Sequence, residues 1–297
     1  MVTVAVGLCA TAVAAVFGAG SFAAESAIHP PRRKIALACP CFSHMSCRPV
    51  AIAAKDGVKL SAWYYTSDKP NGKVVILLHG IGASREDMVS LGYLFLRNGY
   101  SVLEPDLRGH GESGGLATYG VLEADDVHRW VDWMAKATGS NEIYGFGASL
   151  GASVLLQSLE TETRFQAVVA ESPYYDFVTI ADERIARMLP TGTRWVAGPF
   201  VASGIAWARW RRGFDLREAS PAEGLRHTHT PVLLIHGAED NKTSPENSER
   251  LARVGGHNVV LWMVPGAHHA DAWATAKKEF EERVLGWFST SRPPALG

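Results

Sequence analysis

Residues 141–159 read Asn-Glu-Ile-Tyr-Gly-Phe-Gly-Ala-Ser-Leu-Gly-Ala-Ser-Val-Leu-Leu-Gln-Ser-Leu, and this stretch decides the fold. It begins as a compact apolar run typical of a strand, turns through small residues, and continues with helical spacing. A strand, a tight Gly-x-Ser-x-Gly turn and a helix are the parts of a nucleophile elbow. The pattern predicts Ser149 at the tip of that turn, where Gly147 and Gly151 leave room because they carry no Cβ.

A second Gly-x-Ser-x-Gly match lies at residues 111–115 and centres on Ser113. Polar, glycine-rich sequence precedes it and no helical pattern follows at once, so it is typical of a loop. The strand-turn-helix context therefore favours Ser149 over Ser113 as a nucleophile. The alternative for Ser149 is a small residue in an ordinary strand-to-helix turn, and the rest of the chain has to decide between the two.

Length and composition narrow the class of protein. With 297 residues and 47% hydrophobic residues, the chain has room for one large α/β domain or two small ones with a good core. The 29 Lys and Arg residues nearly balance the 30 Asp and Glu residues, which gives no electrostatic footprint for a nucleic acid partner. All four cysteines lie before residue 48, so the chain beyond has neither a thiol nucleophile nor a disulfide framework.

The N-terminal residues 1–24 are expected to be a hydrophobic anchor or a signal segment. Residues 2–24 carry no charge and are numerous enough to span a bilayer as a helix. A basic cluster at residues 32–34 follows the run and none precedes it, which favours an uncleaved membrane anchor with the main domain on the cytoplasmic side. The alternative is a secretory signal, cut near the small residues 21–23, and an exported protein.

Residues 25–49 are predicted to be a linker, extended by the two prolines at 30 and 31. Cys39, Cys41, His44 and Cys47 lie close together within it. Cysteine and histidine are zinc ligands, but this spacing matches no usual finger or ribbon. Reduced or casually paired thiols are therefore favoured over a metal site.

Strand-like and helix-like runs alternate from residue 50 to the end, which predicts a doubly wound, mostly parallel α/β sheet over residues 50–297. A hairpin signal at 50–66 opens it, and a final amphipathic helix over about 272–288 closes it. The stretch at about 173–225 breaks the alternation and is rich in aromatic residues. It is predicted to be a helical cap over the carboxyl edge of the sheet, where ligands bind. Most of its aromatic side chains are expected to pack on the body, and one or two facing the pocket would suffice for an apolar acyl site.

A serine hydroxyl needs a base, and a histidine base works best when a carboxylate orients it. The strand at 232–235 exits into a loop with Asp240, and the strand at 259–264 exits into a loop with His268 and His269. The order Ser, Asp, His is the one this architecture demands. Asp240 has a competing interpretation as the cap of a following helix, with Glu171 and Glu239 as reserve acids.

In this order and at these strand ends, the motifs resemble those of the α/β-hydrolase superfamily, of the serine esterase and peptidase-like kind. The resemblance covers about residue 50 to the end. It implies Ser149 as nucleophile, Asp240 as acid and His269, rather than His268, as base. It also implies an oxyanion hole formed by the backbone N–H groups of Ile81 and Leu150. The matching pieces are His79-Gly80, the run Asp106-Leu107-Arg108-Gly109-His110-Gly111, the elbow, and the two loops that carry Asp240 and His269.

We therefore predict a serine hydrolase that cleaves carboxylic esters of small-molecule substrates through an acyl-enzyme on Ser149. A thioesterase or an aminopeptidase-like enzyme with the same residues is the alternative, and a non-catalytic, membrane-tethered binding protein is the alternative from another class. No metal or organic cofactor is expected. His79, His110 and His236 are predicted to fix loops near the site. The cap arginines Arg209, Arg211 and Arg212 are predicted to form a solvated basic face, with recognition of an anionic substrate group as the alternative.

Overall fold

The computed structural model describes residues 2–40 and 45–289, with side chains from residue 14 onward. Its centre is one sheet of eight strands in the order β1-β2-β4-β3-β5-β6-β7-β8. The strands β3 to β8 run parallel, and β2 pairs antiparallel with both β1 and β4. The strands are β1 (Ser46–Ala53), β2 (Lys59–Thr66), β3 (Val74–Leu78), β4 (Ser101–Pro105), β5 (Ile143–Ala148), β6 (Phe165–Glu171), β7 (Val232–Gly237) and β8 (Val259–Val264).

Helices cover both faces of the sheet, as the alternating pattern predicts. One face packs against α3 to α8 and the other against α2, α9 and α10. The predicted fold class, a doubly wound and mostly parallel sheet with a helical cap, is confirmed. The helices are α1 (Val2–Ile28), α2 (Val89–Arg97), α3 (Glu123–Thr138), α4 (Leu150–Ser158), α5 (Phe177–Met188), α6 (Ala197–Arg212), α7 (Pro221–His227), α8 (Glu246–Gly255), α9 (Ala272–Thr275) and α10 (Lys277–Ser289).

Strand β3 shows why the central strands are apolar at every position. All five of its residues are buried. Successive side chains point to opposite faces of a sheet, so a strand covered on both sides has no position for a polar residue. Val75 and Leu77 lie in the core on one face, while Ile76 and Leu78 lie in the core on the other. The β3 strand therefore ties the two halves of the core together and delivers its carboxyl end to the site.

The cap lies between β6 and β7. In this part of the chain, all of which the structure describes, α5, α6 and α7 alternate with two short 3₁₀ turns and there is no strand. Tyr174, Phe177 and Phe214 are buried against the body, as expected for most of the cap aromatics. Trp195 and Trp210 are exceptions, because each is 78% exposed. The division into a linker at 25–49 and a domain at 50–297 stays a prediction, although β1 begins at Ser46, inside the predicted linker.

Helix α1 packs along the cap helix α6. A Cβ on Gly20 would lie only 2.8 Å from the Phe200 carbonyl oxygen, and one on Gly204 only 2.9 Å from the Gly20 carbonyl oxygen. The two backbones approach this closely because neither glycine has a side chain. At the end of α1, Ile28 is fully buried in the main core. The part of α1 from residue 14 onward, whose side chains are described, is therefore packed on the body.

The predicted location of the protein is wrong. Among the described residues, no helix is both long enough and apolar enough to cross a bilayer, which removes the support for a membrane anchor over residues 2–24 and for a cytoplasmic side. The basic cluster behind the side assignment contacts the body, since Arg32 donates to the Ser113 carbonyl oxygen (2.5 Å) and Arg33 pairs with Asp87 (2.9 Å). A count of apolar residues cannot separate lipid contact from helix packing. Residue 1 and the side chains of residues 2–13 lie outside the described residues.

Within the cysteine cluster, a disulfide joins Cys39 to Cys47. This bond joins the extended segment after α1 to strand β1, and both half-cystines pack beside the core on the α10 face. Cys41 and His44 lie outside the described residues. Within the described ranges, no group of three or more His, Cys, Asp or Glu side chains is arranged to hold a metal ion.

Candidate active site

The turn between β5 and α4 holds Ser149 in an unusual backbone conformation. Its φ is 54° and its ψ is −115°, a combination that side chains rarely adopt. The glycines around it are sterically required: a Cβ on Gly147 would lie 2.4 Å from the Gly151 carbonyl oxygen, and one on Gly151 would lie 2.2 Å from the Leu78 carbonyl oxygen. The Ser149 N–H donates to the Glu171 carbonyl oxygen (2.8 Å), which ties the turn to β6. Ser149 is therefore held at the carboxyl edge of the sheet by backbone packing on two sides.

A hydroxyl, an imidazole and a carboxylate lie in a row at this edge. His269 Nε2 is 2.8 Å from Ser149 Oγ, and His269 Nδ1 is 2.7 Å from Asp240 Oδ2. A carboxylate only accepts, so Nδ1 must carry the proton. Nε2 is then free to accept from the Ser149 hydroxyl. Three residues that are distant in the sequence are thus brought together in the geometry that a general base and its nucleophile require.

Four hydrogen-bond donors surround the Asp240 carboxylate. Its Oδ1 accepts from the backbone N–H groups of Lys242 and Thr243, each at 2.9 Å, and its Oδ2 faces His269 and also His236 Nε2 at 3.2 Å. Burial on its own would raise the pKa of Asp240, but the hydrogen bonds from His236, His269 and Thr243 outweigh it and hold this pKa well below its usual range. Asp240 is therefore ionised in the folded protein near neutral pH.

The competing candidates occupy other environments. Ser113 is fully buried, and its hydroxyl donates to the Asp106 carbonyl oxygen (2.7 Å) while accepting from the Ser61 N–H (2.9 Å). His268 is exposed, and its Nδ1 lies 3.1 Å from the Glu239 carbonyl oxygen. The Glu239 side chain is 61% exposed and faces His268 instead of His269. None of these groups lies in the row formed by Ser149, His269 and Asp240.

Two residues at the end of β6 hold the loop that carries His269. The Glu171 carboxyl group accepts from the Ala272 N–H (2.9 Å), and the Ser172 hydroxyl accepts from the Ala270 N–H (3.1 Å). Ser172 and Ala270 both have a positive φ of 51°, so the two strained turns are joined directly. Burial raises the pKa of Glu171 to about 7, and the nearby Asp271 adds to the rise. The sequence suggested Glu171 only as a reserve acid and gave no signal for Ser172.

The loop after β3 contributes a backbone donor beside Ser149. Gly80 lies against the serine, since a Cβ on Gly80 would be 3.3 Å from Ser149 Cβ. Ile81 follows it, and Leu150 is the first residue of α4, whose N-terminus carries partial positive charge. Across the described parts of the chain, neither the Ile81 N–H nor the Leu150 N–H donates to another group. Both donors remain available to an oxygen atom at the serine.

Two of the three histidines predicted to fix loops, His79 and His110, form hydrogen bonds with loop backbone. His79 Nδ1 donates to the Gly80 carbonyl oxygen (2.8 Å), and His79 Nε2 accepts from the Leu107 N–H (3.0 Å). Burial, reinforced by the adjacent His110 ring, lowers the pKa of His79 to about 3. Burial also lowers the pKa of His110, whose Nδ1 donates to the Arg108 carbonyl oxygen (3.0 Å). His79 therefore joins the loop after β3 to the loop after β4, while His110 bonds within the second loop and packs edge-on against the His79 ring.

The cap and α1 line an apolar, partly open pocket with a volume of about 140 Å³. Phe177, Ile180 and Ile205 line it, and Arg184 is the one charged residue among its described lining residues. Tyr119, also at its wall, accepts through its carbonyl oxygen from Gln157 of α4 (2.9 Å). Two cap aromatics, Phe177 and Phe200, face this pocket, but its lining residues do not include Ser149, so the apolar acyl site stays a prediction. Arg212 pairs with Glu25 of α1 and Arg209 lies 3.8 Å from Asp215, so both of these cap arginines face carboxylates of the chain itself.

The parallel sheet, the strained turn after β5 and the helices on both faces define an α/β-hydrolase. The model of the prolyl oligopeptidase family matches residues 88–291, and the chain belongs to that family. The chain is also 28% identical over 221 residues to the uncharacterized protein YqkD of Bacillus subtilis, an alignment that covers 73% of this chain and 70% of YqkD.

Two further comparisons bear on activity. The chain is 30% identical over 193 residues to the rat lysophosphatidylserine lipase ABHD12, across 62% of this chain and 45% of that lipase, so it spans less than half of that relative. The solved structure of the Pyrococcus furiosus esterase Pf2001 superposes with a TM-score of 0.70 at 27% identity, covering 88% of this chain and 98% of the esterase. These likenesses support an esterase- or lipase-type α/β-hydrolase.

Proposed function

We propose that the protein is a serine hydrolase that cleaves carboxylic esters through an acyl-enzyme on Ser149. The observation that carries the proposal is the row of Ser149, His269 and Asp240, with contacts of 2.8 Å and 2.7 Å at the carboxyl edge of the sheet. The buried, ionised Asp240 keeps the Nδ1 proton on His269 and stabilises the imidazolium that forms when Nε2 takes a proton.

In the first step, His269 Nε2 accepts the hydroxyl proton while Ser149 Oγ attacks the ester carbonyl carbon. The Ile81 and Leu150 N–H groups donate to the negative oxygen that appears in the tetrahedral intermediate. The alkoxy group leaves with the proton carried by His269. Water then repeats the sequence on the acyl-enzyme, with His269 again as the base, and regenerates the free serine.

The choice of an ester rests on two supports. The cap offers an apolar pocket lined by Phe177 and Ile180, which suits the acyl side of an ester, although no residue of the catalytic row lines it. Two of the relatives described above carry an activity in their names: the rat protein is a lipase and the Pyrococcus furiosus protein is an esterase. A peptidase with the same three residues is the second candidate, because the matching family model is that of prolyl oligopeptidases.

Labelling with a fluorophosphonate probe tests the nucleophile. We expect the wild-type chain to be labelled, Ser149→Ala to be unlabelled and Ser113→Ala to be labelled as the wild type is. A folded wild-type protein that resists the probe would instead support a non-catalytic binding protein. A comparison of p-nitrophenyl esters of rising chain length with aminoacyl anilides tests the substrate class. Faster anilide hydrolysis would move the assignment to a peptidase.

A further inference from the structure

His236 stands on the far side of the proposed acid from the proposed base. It lies in β7, is fully buried, and is four residues from Asp240. Its Nε2 is 3.0 Å from the Thr243 carbonyl oxygen and 3.2 Å from Asp240 Oδ2. Both of these oxygens are acceptors, so Nε2 must carry a proton that they share. His236 Nδ1 then accepts from the Ser248 hydroxyl (2.6 Å).

This second imidazole completes the set of donors around the carboxylate. The two backbone N–H groups from Lys242 and Thr243 fix only Oδ1. Oδ2, the oxygen that faces His269, is bonded by His269 and His236 alone among the described residues. Rotation about the Cβ–Cγ bond moves both oxygens together, so the N–H groups at Oδ1 and His236 at Oδ2 restrain this rotation from opposite ends. Without His236, Oδ2 would be bonded only by the residue that it is meant to orient.

The contact also connects the proposed acid to helix α8. Ser248 lies in that helix and is fully buried, as is the side chain of Thr243 to within 2%. The titratable groups that face Asp240 and His236 are His269, at the row itself, and the buried Glu171 at the end of β6. The pair is thus shielded from solvent on every described side, where a misplaced dipole has its largest effect.

We propose that His236 is a positioning residue for the hydrolytic reaction, which fixes the Asp240 carboxylate so that the carboxylate in turn fixes His269. This inference rests on the proposed function. The same contacts of His236 would also serve a purely structural role. The test therefore needs a measured quantity that does not change when only the stability of the loop changes.

Two isosteric variants separate the roles. In His236→Gln, the amide nitrogen reaches the place of Nε2 and can still donate to Asp240. In His236→Asn, the shorter amide reaches only the place of Nδ1, so it keeps the Ser248 contact and loses the Asp240 contact. Both variants replace the imidazole ring with an amide side chain, and thermal unfolding measures how much stability each variant loses. Ser248→Ala removes the Nδ1 partner without touching Asp240 and serves as a third variant.

The assay is hydrolysis of a soluble p-nitrophenyl ester by the full chain, followed from pH 5 to pH 9. For His236→Asn, we expect kcat to fall roughly tenfold with KM little changed, the size that a lost hydrogen bond to a charged group implies. We also expect the acidic limb of kcat/KM to move to higher pH, because a carboxylate with one donor fewer stabilises an imidazolium more strongly. His236→Gln should lose less activity and keep the limb close to the wild-type position.

Equal losses in His236→Asn and His236→Gln with an unmoved acidic limb would overturn the inference and leave His236 a structural residue. If His236→Asn fails to fold, His236→Gln decides instead: a loss of kcat of tenfold or more in that folded variant, whose amide still donates to Asp240, would also overturn the inference. The rate of fluorophosphonate labelling against pH gives the same comparison without an ester. A wild-type chain that is labelled but hydrolyses no ester would sink the ester assignment while the labelling profiles still test His236.

Discussion

Asp240→Asn is the sharpest test of the proposed chemistry, because the surrounding donors dictate how the new amide must sit. The two N–H groups that face Oδ1 require an oxygen there, so the amide oxygen takes that place. The amide NH₂ then replaces Oδ2 and points at His269 and His236. His269 can accept from it only if Nδ1 loses its proton. The proton moves to Nε2, which faces Ser149 and can no longer accept from the hydroxyl.

The size of the effect follows from this tautomer. The variant keeps the nucleophile, the backbone donors and the shape of the site, but its imidazole carries a hydrogen where a lone pair is needed. A loss of about 10,000-fold in kcat is expected for such an exchange, which corresponds to about 5.5 kcal/mol of transition-state stabilisation. KM should change little, because Asp240 is buried and does not face the substrate.

Steady-state hydrolysis of a p-nitrophenyl ester at pH 7.5 measures this loss, with active-site titration to count folded sites. Glu239→Gln is the matched control: it makes the same chemical exchange on the neighbouring residue, whose side chain is 61% exposed. That variant should keep kcat within about twofold. A loss of less than tenfold in folded Asp240→Asn, or an equal loss in Glu239→Gln, would refute the assignment of Asp240 as the acid.

Three further outcomes are expected. Gly151→Ala places a Cβ 2.2 Å from the Leu78 carbonyl oxygen, so we expect the free energy of unfolding in urea to fall by about 3 kcal/mol or more. The control is Gly286→Ala in α10, where a Cβ meets no atom within 4 Å, and this variant should keep its stability or gain up to about 1 kcal/mol. Similar stabilities of the two variants would contradict the steric argument. Ser113→Ala removes two buried hydrogen bonds and should lose about 1–3 kcal/mol of stability while keeping esterase activity, so loss of activity in a folded variant would revive the second motif. Burial raises the pKa of Glu104 to about 8, so its contribution to stability is fully present below about pH 4.5 and is lost as the pH rises to 8. The free energy of unfolding of the wild type should therefore fall by up to about 4 kcal/mol relative to that of Glu104→Gln between pH 5 and pH 8. A constant difference between the two proteins over that range would contradict the burial argument.

The C-terminal helices show that apolar periodicity does not predict a short break within a helical segment. The amphipathic run over 272–288 predicts one final helix, but the structure has two, α9 and α10, separated at Ala276. The apolar spacing continues across the break, because both segments pack on the same core through Ala272 and Phe280. Periodicity records the buried face and is insensitive to a single residue that leaves the helical conformation.

The failed N-terminal prediction has a different cause. Residues 2–24 satisfy the length and composition expected of a spanning helix, and so the sequence could not reveal that Gly20 and Ala24 contact α6. That contact joins positions about 180 residues apart in the sequence. The hydrogen bond between the Ala270 N–H and the Ser172 hydroxyl also joins residues that are distant in the sequence. It depends on the order of β6, β7 and β8 in the sheet, and no sequence motif predicts it.

What the sequence determined by itself is the set of local requirements: apolar runs that only a sheet buried on both faces accommodates, and glycines without which the turn at Ser149 would clash. It also placed Ser149, Asp240 and His269 in chain order, after the strands β5, β7 and β8. Only the tertiary structure decided that the last of these reaches across 120 residues to within 2.8 Å of the first, that His236 shares the carboxylate, and that α1 packs on the cap. Steric and periodic constraints act between neighbours in the chain, whereas hydrogen bonds to a carboxylate depend on which strand ends the completed sheet places side by side.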